Sequence, residues 1–264
     1  MNRTFQIGVT ATVLALAAAC TDSTAPTARI GDRDVTNDVA VDANEATALD
    51  VEQFGFDEVF AGVATAFPRP PACTYSALVE RFLCPTVVTP RGITVQRSFA
   101  VYAGGASQTA YDPVKTDSIN FQAFRTGTVS APARTVWINH TRNVTVSGLA
   151  GAETERIWNG TGVRSDSGHF ASNGVTRRTR FGSVDRISGV AFAVPRSANP
   201  FPLRGTITHD VTVTSLTSGP SGERTRSSVR HVEITFNGTR TARMRIGTVS
   251  CTIDLVTRAV DCAR

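Results

Sequence analysis

From Ile93 to the C-terminus apolar residues recur at every second position, and that period limits what the chain can become. Ile93, Val95, Phe99 and Val101 share one face, as do Val136 and Ile138, Val144 and Val146, and Val190, Phe192 and Val194. The pattern returns in Ile207, Val211 and Val213, in Val232, Ile234 and Phe236, and in Ala242, Met244 and Ile246, with Thr, Gln, Ser and Arg between them. A period of two places alternate side chains on opposite sides of a strand, so these segments predict strands with one buried and one solvated face. Asn159-Gly160, Asn173-Gly174 and Asn237-Gly238 are predicted hairpin turns, because Asn-Gly tolerates the positive φ that type I′ turns demand. After residue 70 no long helical period occurs, although Ser76 to Leu83 is ambiguous over a turn or two. The expectation is an all-β domain of about ten to twelve antiparallel strands. A sheet that wide must curl or split, which leaves a curled half-open barrel or a two-layer sandwich.

The cysteines add a local constraint. Apart from Cys20 there are four, and Cys73 stands to Cys84 as Cys251 stands to Cys262, eleven residues apart in each case. Eleven residues of helix span about 16 Å, beyond the Cα separation of up to about 7 Å that a disulfide tolerates. Local pairing therefore requires each pair to close a hairpin or loop, contributing about 3 kcal/mol by the chain-entropy relation. At the C-terminus Cys251 to Leu255 would run out, Val256 to Arg258 would turn under an Asp254 cap, and Ala259 to Cys262 would return. Neither pair has the close spacing of a zinc knuckle, and no metal site is expected.

Charge divides the chain in two. The formal net charge is +5, but residues 20–67 hold ten acids against Arg29 and Arg33, a balance of −8, and residues 68–264 have a balance of +12. An acidic leader able to lie against the body is one consequence; a solvated tether before a charged, soluble surface is the other. Residues 20–45 are Thr, Ala, Asp and Asn with few large apolar groups, a composition that does not offset the entropy of ordering, so they are expected as a flexible acidic tether. Residues 46–72 are expected as a docking segment or short helix ending at Pro68, Pro70 and Pro71, and residues 73–264 as the antiparallel β domain.

The first residues bear on location. Met1-Asn2-Arg3 gives a positive start, residues 4–19 are uncharged, and Val13-Leu14-Ala15-Leu16-Ala17-Ala18-Ala19 precedes Cys20. The uncharged run is shorter than the roughly 20 residues of a membrane-spanning helix and has the form of a secretory signal. Ala17-Ala18-Ala19-Cys20 resembles the lipobox of bacterial lipoproteins, with Leu16 one place early. The resemblance covers residues 1–22 and implies that 1–19 is a lipoprotein signal peptide, that Cys20 is the site of lipid attachment, and that Thr21 after it favours the outer membrane. A membrane partner is thereby implied through the lipid, as is an oxidising compartment that permits the disulfides.

Chemistry is scarce. Gly-x-Ser-x-Gly, His-Glu-x-x-His, a phosphate-cradling loop and a calcium loop are all missing from the sequence, and no catalytic residue or cofactor is expected. Three residues break the alternation on an apolar face: Arg97, His140 and His209. A polar group there costs several kcal/mol unless paired. Either they line a cavity facing a ligand, or Arg97 lies where the sheet opens to water and the histidines bond neighbouring backbone. Trp137 and Trp158 are read as packing residues, and so few exposed aromatics argue against nucleic acid. The expectation is a non-enzymatic envelope lipoprotein that binds a lipid, an anionic glycan or another amphipathic or anionic ligand. A structural or adhesive envelope protein is the alternative, and a hydrolase assembled from scattered residues the third.

Overall fold

A computed structural model describes residues 32–54 and 73–262, apart from positions 113, 132–133, 152, 173–174 and 221. The predicted signal peptide, Cys20, residues 20–31 of the tether, residues 55–72 of the docking segment and the Asn173-Gly174 turn lie outside them. After helix α1 (Asp32–Phe54) come β1 (Thr74–Ser76), β2 (Arg81–Leu83), β3 (Val87–Val88), β4 (Thr94–Ala103), β5 (Ala106–Gln108), β6 (Ser118–Ala131) and β7 (Arg134–Ser147). They are followed by β8 (Glu155–Ser172), β9 (Val175–Ala193), β10 (Arg204–Gly219), β11 (Gly222–Thr235), β12 (Thr241–Ile246), β13 (Val249–Asp254) and β14 (Val260–Cys262). All 14 strands belong to one antiparallel sheet, a meander in which each strand pairs with its neighbours in sequence, with β3 and β5 hung on β4. The sheet is open, with β1 and β14 at its two ends. A single continuous sheet excludes the two-layer sandwich and leaves the curled alternative.

The predicted faces are the observed ones. Val95, Phe99, Val101, Val144, Val146, Val190, Phe192, Ile207, Val211, Val213, Val232, Ile234, Met244 and Ile246 are all buried on the inner face. Each large side chain so buried contributes about 1.5–3 kcal/mol. Trp158 is fully buried, its ring centroid 4.8 Å from Phe54 and 5.6 Å from Phe121. Trp137 is 47% exposed on the outer face, which corrects its reading as a packing residue.

Asn159-Gly160 is not a turn. It lies inside β8 where the register slips, Trp158 opposite Val190 and Gly160 opposite Ile187. Asn159 accepts a hydrogen bond from the Gly189 N–H at 2.8 Å, so the asparagine fastens a bulge. Gly189 takes the positive φ of 58° that such a bulge requires. A second slip, at Arg204 and Thr206, falls beside it. Paired bulges sharpen the twist of these long strands, and the sheet wraps rather than lying flat. Asn237-Gly238 does join two strands, β11 and β12, though only Gly238 has positive φ. Ser76 to Leu83 resolves into the hairpin β1–β2 rather than a helical turn.

Both disulfides are local, Cys73 to Cys84 and Cys251 to Cys262, and each closes a hairpin. Cys251 and Cys262 are direct cross-strand partners. Asp254 caps the connecting turn by accepting from the N–H groups of Val256 and Thr257, both at 2.9 Å.

Residues 32–45 overturn the tether expected there, and residues 46–54 complete the same helix. Helix α1 lies inside the curl with Val35, Val39, Ala40, Ala43, Ala46, Leu49 and Phe54 buried, and Thr36, Asp42, Asn44, Thr47 and Asp50 buried beside them. Small side chains let its backbone approach the sheet. Its polar residues, which argued against ordering when read as isolated groups, find partners on the inner face.

Candidate functional site

The inner face is apolar toward the β7–β8 connection and ionic toward the β8–β9 hairpin. The register explains the ionic part, because Arg125, His140, Arg164 and Ser183 form one cross-strand row on β6 to β9. Ala123, Arg142, Gly162, Asp185 and His209 form the row beside it. Gly162 leaves room for Arg142 to lie across β8 toward Asp185; a Cβ there would sit 2.1 Å from the Arg142 guanidinium. Arg142 and Arg164 meet the same oxygen of Asp185 at 2.8 and 3.0 Å, and the His209 ring pairs with its other oxygen at 2.8 Å.

Helix α1 brings the complementary acids. Asp38 pairs with Arg177 at 2.6 Å, Asp42 with Arg164 at 2.6 Å, and Asp50 with Arg142 at 2.8 Å and Arg125 at 3.4 Å. With Asp166 and Asp185, five aspartates face four arginines, so the network is close to neutral. Burial alone would raise the Asp50 pKa, but Arg142 and Arg125 outweigh it and hold the carboxyl below its ordinary value. Asp185 is likewise held low against burial by His209, Arg164 and Arg142. Burial pulls Arg125 down to about 10, with Asp50 opposing. For Asp42 burial prevails over Arg164, and its carboxyl rises.

The three residues singled out by sequence part company here. His209 is fully buried and bonded on both sides, Nδ1 to Asp185 and Nε2 to Thr47 Oγ1 at 3.2 Å. Hydroxyl, imidazole and carboxylate thus align as in a nucleophilic relay, but Thr47, His209 and Asp185 each have 0% exposure, and the array is sealed. Its role is to dock the helix. Arg97 is half-buried on β4, borders a second cavity with Phe124 and Arg142 that neither histidine lines, and adds to the field that depresses Arg125.

His140 borders a cavity of about 350 Å³ between helix α1 and strands β6 to β8. Val129, Val136, Ile138 and Ala46 form its apolar wall; Asp42, Glu45, Arg91, Ser130 and Asp166 join His140 on the polar one. Glu45 and Arg91, 3.2 Å apart and each about a third exposed, mark where it meets solvent. His140 Nε2 contacts Asp166 at 2.7 Å, while its buried Nδ1 has no hydrogen-bond partner among the described residues. Burial lowers the His140 pKa despite Asp166, so the ring is neutral near pH 7. Since a carboxylate only accepts, Nε2 carries the proton and Nδ1 offers a lone pair. Among the described residues no cluster of His, Cys, Asp and Glu is arranged to hold a metal ion.

Sequence reasoning missed Arg125, Arg142, Arg164, Asp166 and Asp185, which break the apolar register in the same way as Arg97 does. No protein-family model, curated protein or solved structure matches the chain.

Proposed function

We propose that the chain is a bacterial lipoprotein, anchored through Cys20 in the outer membrane, that holds one small amphipathic ligand beneath helix α1 without transforming it. The cavity beside His140 is the observation that supports this reading. Its volume lies at the small end of ligand sites, and it pairs one apolar wall with a few convergent polar groups. The inner arginines do not favour an anionic head, because the helix aspartates already neutralise them. Asp42, Glu45 and Asp166 beside the lone pair of His140 favour an uncharged head with a hydroxyl or N–H to donate. The sealed Thr47, His209 and Asp185 argue against a hydrolase. A structural or adhesive role draws support from one fact, that helix α1 fills the curl.

Native mass spectrometry of protein purified from its host, with calorimetric titration of a medium-chain monoacylglycerol, separates the two roles. Ligand binding gives a retained small-molecule mass, saturable binding, and loss of both in Ile138→Trp, which fills the cavity. Wild type without retained mass or saturable binding refutes it. Palmitate labelling of wild type but not of Cys20→Ser tests the anchor independently.

A further inference from the structure

Three long hairpins turn at the same end of the sheet: β6 to β7 with Ala131 opposite Arg134, β8 to β9 with Ser172 opposite Val175, and β10 to β11 with Gly219 opposite Gly222. Residues 127–137, 167–180 and 214–228 carry Arg134, Arg177, Arg178, Arg180, Arg224 and Arg226 against one acid, Glu223. Arg177 is committed to Asp38, and Glu223 accepts a hydrogen bond from Ser218, but Arg178, Arg180 and Arg224 are exposed. The opposite end of the sheet mixes Asp112, Asp117, Glu153 and Glu155 among its basic residues. Much of the positive surplus of the body is therefore concentrated at one rim.

The same rim is where helix α1 begins. Asp38 sits against Arg177, two residues from the β8–β9 turn, while Phe54 packs on Trp158 and Phe192 at the far end, so helix α1 points its start toward the rim. Cys20 stands twelve positions before Asp32, a stretch that spans at most about 40 Å. Trp137, on the outer face, is paired with Ser167 and through it aligned with Arg180. An exposed indole near a row of guanidiniums has the composition of a membrane-interface belt.

We infer that the three hairpin tips form a membrane-facing rim that binds anionic phospholipid head groups and sets the domain upright on the bilayer. Charge complementarity selects the partner, and the short leader holds the rim within its reach. Each arginine beside an anionic surface strengthens binding about fivefold.

The test uses the chain from Thr21 onward, which includes every described residue and carries no acyl group, in flotation with vesicles. The expected result is binding to vesicles of equal parts phosphatidylcholine and phosphatidylglycerol, but not to phosphatidylcholine alone. Brominated lipid then quenches Trp137 and spares the buried Trp158. Arg178→Gln/Arg180→Gln/Arg224→Gln weakens binding by about a hundredfold, whereas Arg243→Gln/Arg245→Gln on the exposed face of β12 does not. Unchanged thermal unfolding confirms the fold, and the single variant Arg178→Gln, weakened about fivefold, serves if the triple variant does not fold. No preference for the anionic vesicles, or equal loss in the triple variant and the β12 control, overturns the inference. Failure here leaves both palmitate labelling and ligand retention unaffected, so the three results are separable.

Discussion

Asp50→Asn is the sharpest probe of whether charge holds helix α1 in place. Asp50 is 1% exposed at its side chain and lies 2.8 Å from Arg142 and 3.4 Å from Arg125, themselves 1% and 4% exposed. The substitution is nearly isosteric, so packing is kept while two buried guanidiniums lose a carboxylate. Arg142 retains Asp185 at 2.8 Å, which moderates the effect. Removing one partner of a buried pair costs about 3–5 kcal/mol, against about 0.2–1 kcal/mol at the surface. For a domain of this size the corresponding drop in Tm is about 6–20 °C. Urea unfolding followed by circular dichroism measures the loss, with Glu45→Gln as the partly exposed comparison, since Glu45 pairs with Arg91 at 3.2 Å. Asp50→Leu/Arg142→Met should recover part of the stability, because replacing both ions removes their desolvation cost. A loss below about 1 kcal/mol for Asp50→Asn, equal to that of Glu45→Gln, would refute electrostatic docking.

Acid should weaken the fold through Asp50 and Asp185. Both carboxyls titrate below their ordinary value in the folded state, so the stability they contribute is complete above about pH 4 and is lost as pH falls through their folded pKa values, visible as a shrinking urea midpoint. Gly162→Ala should cost about 1–3 kcal/mol by pressing on the clamped Arg142, while Gly182→Ala, with open space around it, should be near neutral in the same melts. Cys251→Ser/Cys262→Ser should lose about 3 kcal/mol in denaturant titrations, and a reducing agent should abolish the difference from wild type.

What the sequence disclosed depended on how local each signal was. The strands were legible because Val232, Ile234 and Phe236, or Ala242, Met244 and Ile246, declare their buried face within five residues. The disulfides were legible for the same reason, with partners eleven apart. Helix α1 was not, since its aspartates are matched by arginines 75 to 139 positions away. Composition counts Asp38, Asp42 and Asp50 as groups that resist burial; the fold makes them the means of burial. A trace was present: an acidic leader balancing a basic body, with Arg125, Arg142 and Arg164 lying in the register of Phe121, Val144 and Asp166. His140 and His209 break the pattern alike, yet only the neighbours brought in by the fold distinguish a cavity wall from a sealed bond. Asn159 shows the limit of turn motifs, for the residue that suits a hairpin equally suits a bulge.

The meander joins each strand to the one made just before it, so most of the sheet can assemble as the polypeptide emerges. Helix α1 is the exception. It is the first described element to be synthesised, yet its seat is incomplete until residue 258 has followed, because Thr47 bonds His209 at a sequence separation of 162 and Asn44 donates to the Arg258 carbonyl at a separation of 214. Closing so long a loop is slow compared with neighbour-to-neighbour strand pairing. The helix is therefore expected to settle after the strands, leaving the arginines of the inner face hydrated until it does.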